Sequence, residues 1–256
     1  MKYLIFKKTT LIIGITFCLL AIIVSLPFGQ NCVAGVFFGE TVRKIPVYCV
    51  STGEKQVAIS FDAAWGADKT EKIMDLLDEY NVSATFFLVG FWVEKFPDLV
   101  TAIENRGFEI GTHSNTHPDM TKLTAEQMES ELQTSIDLIE NLTTKDVKLF
   151  RAPYGSYNNQ LLTTAEKLGL QTIQWDVDSL DWKGISGAEI SGRVVNKVKN
   201  GSIILCHNNS DHILDALPII FDRLKNQGYT ITCVGDLIYK DNFIIDHTGL
   251  QKSNSA

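Results

Sequence analysis

From Gln56 onward, short apolar runs alternate with longer stretches whose apolar residues recur at helical spacing. The runs at 56–61, 84–88, 108–111, 148–150, 171–175, 202–205 and 230–233 predict strands. Between them, residues 69–79 place Ile73, Leu76 and Leu77 on one face. Residues 124–140 set Met128, Leu132, Ile136 and Ile139 against a wet side of Glu126, Glu129, Glu131 and Asp137. Helices are also predicted over 158–167, 188–198 and 213–226. Gly169 and Gly228 sit where helix ends should precede strands. Strands alternating with helices mark parallel βα units. Seven strands with interleaved helices predict an irregular parallel (β/α)7 TIM-like barrel; an open doubly wound sheet is the alternative. The first strand ends in "FDAAWG", which lacks the glycines of a phosphate-binding turn.

The first 30 residues follow another pattern. Lys2, Lys7 and Lys8 precede an uncharged apolar run from Leu11 to about Phe28. That length is at the lower edge of a bilayer span, and the lysines orient the N-terminus to the cytoplasm. An uncleaved anchor is the preferred reading, because "NCVAGV" is a poor cleavage site. A cleaved signal peptide is the other. The expected organisation is an anchor or signal peptide over 1–30, a lead-in over 31–54, the main domain over 55–240 and a tail over 241–256. The main domain is expected outside the cytoplasm, membrane-held if the anchor stays and secreted if it is cut.

Composition narrows the field. Of 256 residues, 45% are hydrophobic and 21% charged, enough for one sizeable core. A net charge of −7 argues against nucleic acid as a partner. The five cysteines form no C-x-x-C pair, which argues against a thiolate zinc site.

Reactive residues collect just after the predicted strands. Asp62 follows "VAISF"; His113 follows "FEIGT", with His117 four residues on. Arg151 follows "VKLF", Asp176, Asp178 and Asp181 follow "TIQW", and His207 follows "SIILC". In a parallel barrel these strand ends share one face, where active sites assemble. Two histidines at i, i+4 can hold one metal, or each can be a hydrogen-bonded histidine. Asp62 reads as a general base or as a structural acid bridged to Arg151, and the two roles are compatible. One of the three later aspartates can orient His207 as a proton donor; a packed core histidine is the plainer reading. Adjacent strand residues point to opposite sides, so Cys206 reads as a packed thiol. Trp65, Trp175 and Trp182 suit either sugar faces or core packing. Together these suggest metal-assisted hydrolysis with a carboxylate base and a histidine acid.

The segments "SFDAAWG", "ATFFLVG", "EIGTHSNTHP", "RAPYG", "DSLDW" and "ILCHN" together resemble the polysaccharide deacetylases of the NodB-homology type, carbohydrate esterase family 4. The likeness runs from about Lys44 to Tyr239, and "RKIPVYCVSTGEKQVAISFDAAWG" resembles the sporulation-associated branch. The resemblance implies a NodB-type barrel that hydrolyses N-acetyl groups on a glycan such as peptidoglycan. It implies that His113 and His117 bind a divalent metal, usually zinc, and that Asp62 is the catalytic base, paired with Arg151. It implies an oxyanion contact from the Tyr154 N–H, and His207 as the acid, oriented by Asp181. Leu205 and Trp182 would line the acetyl pocket. One position departs: the third metal ligand of the family, a second Asp, falls at Ala63. Either two histidines hold the metal with water, or Asp62 or Asp119 steps in. Otherwise the chain is a glycan-binding protein without hydrolysis.

Overall fold

The computed structural model describes residues 42–254. The expected membrane-spanning run lies outside them; among the described residues no helix is long and apolar enough to cross a membrane. The strands are β1 (Cys49–Val50), β2 (Gln56–Ala63), β3 (Thr85–Leu88), β4 (Glu109–Thr112), β5 (Leu149–Phe150), β6 (Gln171–Thr172), β7 (Val177–Asp178), β8 (Ile203–His207), β9 (Thr230–Thr232), β10 (Phe243–Ile245) and β11 (Leu250–Ser253). The main sheet runs β6-β5-β4-β3-β2-β8-β7, with β9 beside the start of β2. All its pairings are parallel.

The expected seven-stranded barrel is instead a curled half-barrel of eight strands, open between β6 and β7. The predicted strand over 171–175 explains the opening. Its regular part stops at Thr172; Ile173 bridges to Val47, and Gln174 N–H donates to the Val47 carbonyl. The lead-in segment therefore takes the edge that the next strand would have closed. The chain then turns and makes β7 on the far edge, beside β8.

The helices are α1 (Thr70–Glu79), α2 (Gly90–Lys95), α3 (Pro97–Asn105), α4 (Ala125–Glu140), α5 (Asn159–Lys167), α6 (Gly187–Lys197), α7 (Ile213–Asn226) and α8 (Val234–Leu237). Helix α4 starts at a capping box of Thr124 and Gln127, and α6 at one of Ser186 and Glu189. Each box satisfies backbone N–H groups that the first turn leaves unpaired. The predicted wet and dry faces hold: Met128, Leu132, Ile136 and Ile139 of α4 are buried, as are Ile73 and Leu77 of α1. These faces cover the outer side of the sheet, where Phe61 and Phe86 stack at 5.2 Å. Helices α2 and α3 were not expected. Pro97 stands at the first turn of α3 and splits one apolar stretch into two short helices.

Residues 243–253 do not trail away. Strand β11 pairs antiparallel with β10 and parallel with β1. Gln251, fully buried, exchanges hydrogen bonds with the backbone of Tyr239.

Candidate active site

Strand ends deliver the site. Asp62 lies next to last in β2, with only 6% of its surface exposed. Arg151, fully buried just past β5, donates from Nη1 to Asp62 Oδ1 at 2.8 Å and from Nη2 to the Gln174 carbonyl at 3.2 Å. Its guanidinium lies 4.1 Å from the centroid of Phe87 and 5.5 Å from that of Trp175. Burial alone would raise the Asp62 carboxyl; the charge and hydrogen bond of Arg151 outweigh burial and hold it below the usual carboxylate range.

His113 and His117 stand with ring centroids 4.8 Å apart. The Arg151 carbonyl lies 2.7 Å from His113 Nδ1, and a carbonyl only accepts, so Nδ1 carries the proton. The His113 Nε2 lone pair therefore faces Asp62 Oδ2 at 3.5 Å. Burial lowers the His113 pKa, and burial with His113 nearby lowers that of His117 to about 4, so both rings are neutral. Two acceptors facing one another call for a cation or proton beside them. His117 Nδ1 is buried without a partner. A neutral imidazole anchored through its other nitrogen is the form that ligates a metal. The pair fits a divalent cation on these grounds, although among the described residues no group of three or more His, Cys, Asp or Glu converges as a metal site.

His207 ends β8. Its Nδ1 meets Asp181 Oδ1 at 2.7 Å, and its backbone N–H donates to Asp181 Oδ2 at 2.8 Å. Ser210 Oγ donates to the same oxygen at 2.9 Å. Burial opposes protonation of His207, but the Asp181 hydrogen bond and charge, with Asp62 and Asp178, raise its pKa. Asp176 belongs elsewhere. It accepts from Ser202 Oγ and Ile203 N–H at the start of β8, so the expected trio of aspartates is two at the cavity. Asp119 is also committed elsewhere, to Thr121 and Lys122.

A cavity of about 690 Å³ joins these groups. Leu205, Trp182 and Tyr154 line it with Asp62, both metal-type histidines and His207. Tyr154 sits at φ 60°, a conformation rare for a residue with a side chain. Its turn is closed by Gly155 and Ser156 N–H groups, and the Tyr154 N–H is not used in that closure. Cys206, between Leu205 and His207, points away into the core, and burial pushes its thiol pKa well up.

Comparison with known proteins agrees with this arrangement. The profile described as polysaccharide deacetylase matches residues 50–173. The peptidoglycan-N-acetylmuramic acid deacetylase PdaA of Bacillus subtilis (strain 168) is 32% identical over 197 residues, covering 75% of each chain. The chain belongs to the polysaccharide deacetylase family. YlxY of the same bacterium, an uncharacterized protein, is 33% identical over 199 residues. That match takes in 78% of this chain but 62% of YlxY, less than two thirds of its length. The crystal structure of wild-type BA3943 from Bacillus anthracis, a family 4 pseudoenzyme, superposes with a TM-score of 0.73 at 33% identity, covering 77% of this chain and 69% of that one.

Against this family, Ala63 is the position to inspect. It is fully buried in the apolar cluster that includes Ile59, Phe61 and Val89. The cavity wall beside Asp62 is formed by Ala64 and Trp65 instead. Sequence reading missed several supports of the deacetylase-type site: Ser114 Oγ, which accepts from His117 N–H at 3.0 Å, the Gln174 carbonyl, and Ser210. Ser114 stands inside the quoted "EIGTHSNTHP" segment without its role being visible there, and Ser210 left a signal as a hydroxyl three residues after His207 in "CHNNS".

Proposed function

We propose that this protein removes N-acetyl groups from cell-wall polysaccharide, with the amino sugars of peptidoglycan as substrate. The observation that carries the reading is one cavity holding a buried ionised Asp62, a neutral histidine pair, and an Asp181-held His207. His113 and His117 would hold a divalent cation, zinc in this reading. When bound, such a cation supplies Lewis acidity at the acetyl oxygen and makes water a better nucleophile. Asp62 accepts the proton of the attacking water, and Arg151 keeps the carboxylate ionised for it. The Tyr154 N–H donates to the developing oxyanion. His207 gives a proton from Nε2 to the departing amine nitrogen, since Nδ1 is taken by Asp181. Leu205 and Trp182 enclose the acetyl methyl. Acetate and a free amino sugar leave.

The same proposal puts the catalytic domain outside the cytoplasm, tethered by the apolar run at 11–28, and at work on the wall during spore formation. The lysine-flanked run and the resemblance to the sporulation-associated branch support this extension. Acetate release from peptidoglycan and from N-acetylglucosamine oligomers, with zinc or cobalt added, tests the hydrolytic core of the proposal. Absence of acetate from both substrates would sink it.

The proton-donor role has its own signature. An acid with a raised pKa works below that pKa, and activity falls as pH rises through it. Asp181→Asn removes the charge that raises His207, so the alkaline limb of kcat/KM should move to lower pH. An unmoved limb would assign the acid to another group.

A second reading, a glycan-binding protein with little turnover, is favoured by Ala63. The likeness to BA3943, described as a family 4 pseudoenzyme, supports it. Ala63→Asp separates the two. A carboxylate at this covered position is desolvated unless it ligates. The apo variant should therefore melt below the parent, and zinc should recover the difference. Zinc affinity should rise by more than the roughly 10–100-fold that outer-shell partners contribute. Equal zinc affinity in parent and variant, by calorimetry, would mean that the site recruits its ligands differently.

A further inference from the structure

We propose that Trp65 is a second aromatic platform of the cleft, holding the sugar next to the one that loses its acetyl group. The inference rests on the deacetylase reading and adds to it a preference for longer glycan chains. Three of the five large apolar side chains left exposed among the described residues, Trp65, Tyr154 and Trp182, line this one cavity. Tyr154 and Trp182 already have work at the acetyl group. Trp65 has none, yet it is 65% exposed.

Its position is fixed from behind. Gly66 sits at φ +69°, a conformation that residues with side chains rarely adopt, and a Cβ there would fall 2.1 Å from Asn209 Nδ2 and displace that side chain. The Gly66 carbonyl accepts from Trp92 Nε1 at 2.8 Å and from Asn208 Nδ2 at 3.0 Å. The backbone is thus tied on two sides while the indole is left open. The ring meets His117 at 4.8 Å and Phe91 at 6.3 Å between centroids. Trp175 also borders the cavity but is half-buried: it packs against the apolar cluster of Val47, Phe87 and Ile173 and lies under Arg151.

The chemistry names the ligand class. An indole face takes the C–H face of a pyranose. Trp65 stands on the His117 side of the reacting groups, and Trp182 follows Asp181 on the His207 side. Asp178 and Asp211 line the same cavity and offer acceptors to hydroxyl or amine groups. A cavity of about 690 Å³ is more than one N-acetylated monosaccharide fills and lies within the usual range of ligand pockets. The occupant is a neutral or amine-bearing hexosamine chain.

The test measures kcat/KM of the zinc-loaded full chain on the dimer and the pentamer of N-acetylglucosamine, for the parent, Trp65→Ala and Trp65→Phe. The parent should favour the pentamer. Trp65→Ala should lower the pentamer-to-dimer ratio about tenfold, chiefly through KM, and Trp65→Phe should keep most of it. An equal ratio in parent and Trp65→Ala overturns the proposal. So does a loss of the same size on both substrates, which would assign the indole to support of His117. Pentamer binding by calorimetry is measured in His207→Ala with and without Trp65→Ala. If the parent releases no acetate from any glycan, the deacetylase reading fails, and this arm decides the platform alone. Binding about tenfold weaker without the indole upholds it, and equal binding overturns it.

Discussion

Replacing Arg151 with alanine should destabilise the protein by about 3–5 kcal/mol and remove most of its activity. Both partners of the Arg151–Asp62 pair are out of water, with Arg151 fully buried and Asp62 6% exposed. Such a pair gains little over two apolar residues, because desolvation consumes most of the attraction. Removing one partner is different: it leaves a charge without compensation in a medium that cannot solvate it. Asp62 would respond by holding its proton, since burial alone raises its pKa. A protonated base cannot accept a proton from water, so stability and turnover should fall together. The Gln174 carbonyl would also lose its donor. For a chain of this size the loss corresponds to a melting point lower by about 6–20 °C. The double replacement Asp62→Asn with Arg151→Met should recover part of the stability and none of the activity. Urea unfolding of the three proteins checks this; a single Arg151→Ala variant as stable as the parent would show that water reaches Asp62 freely.

His207→Ala should lower kcat by about 10²–10⁴-fold at equal metal content. Its cost in stability should be smaller than that of Arg151→Ala. Asp181, left behind, keeps the residue-207 backbone N–H and Ser210 Oγ as donors. What disappears is the proton source for the amine, which as a free anion is a very poor leaving group. Full turnover by His207→Ala would remove this histidine from the chemistry.

Much of the site could be read from the chain because each reactive residue closes an apolar run. Asp62 ends "VAISF", Arg151 ends "VKLF" and His207 ends "SIILC". Parallel strands then bring these ends together whatever the loops between them do. The reading failed where tertiary contacts overrode local pattern. Ile173 looks like strand interior, but its apolar side chain and backbone go to Val47. Once that strand ends early, Asp176 no longer reaches the active end and caps the start of β8. Helices α2 and α3 were hidden because Gly90 and Pro97 interrupt the period at each of their starts. The Arg151 and Gln174 carbonyls that fix His113 and Arg151 leave no trace in residue type, since every residue has a carbonyl. The three tryptophans were undecidable alone. All three border the cavity, and their exposure depends on neighbours: Trp175 is half-buried under Arg151, while Trp65 and Trp182 stay exposed.

The central claim is that this cavity hydrolyses N-acetyl groups despite alanine at position 63. Acetate and newly exposed amines counted together, from peptidoglycan incubated with the zinc-loaded protein, test it most directly. The account predicts equal amounts of the two products from the parent protein and close to none from His207→Ala. No acetate from a parent protein that carries its metal and binds the glycan would contradict it.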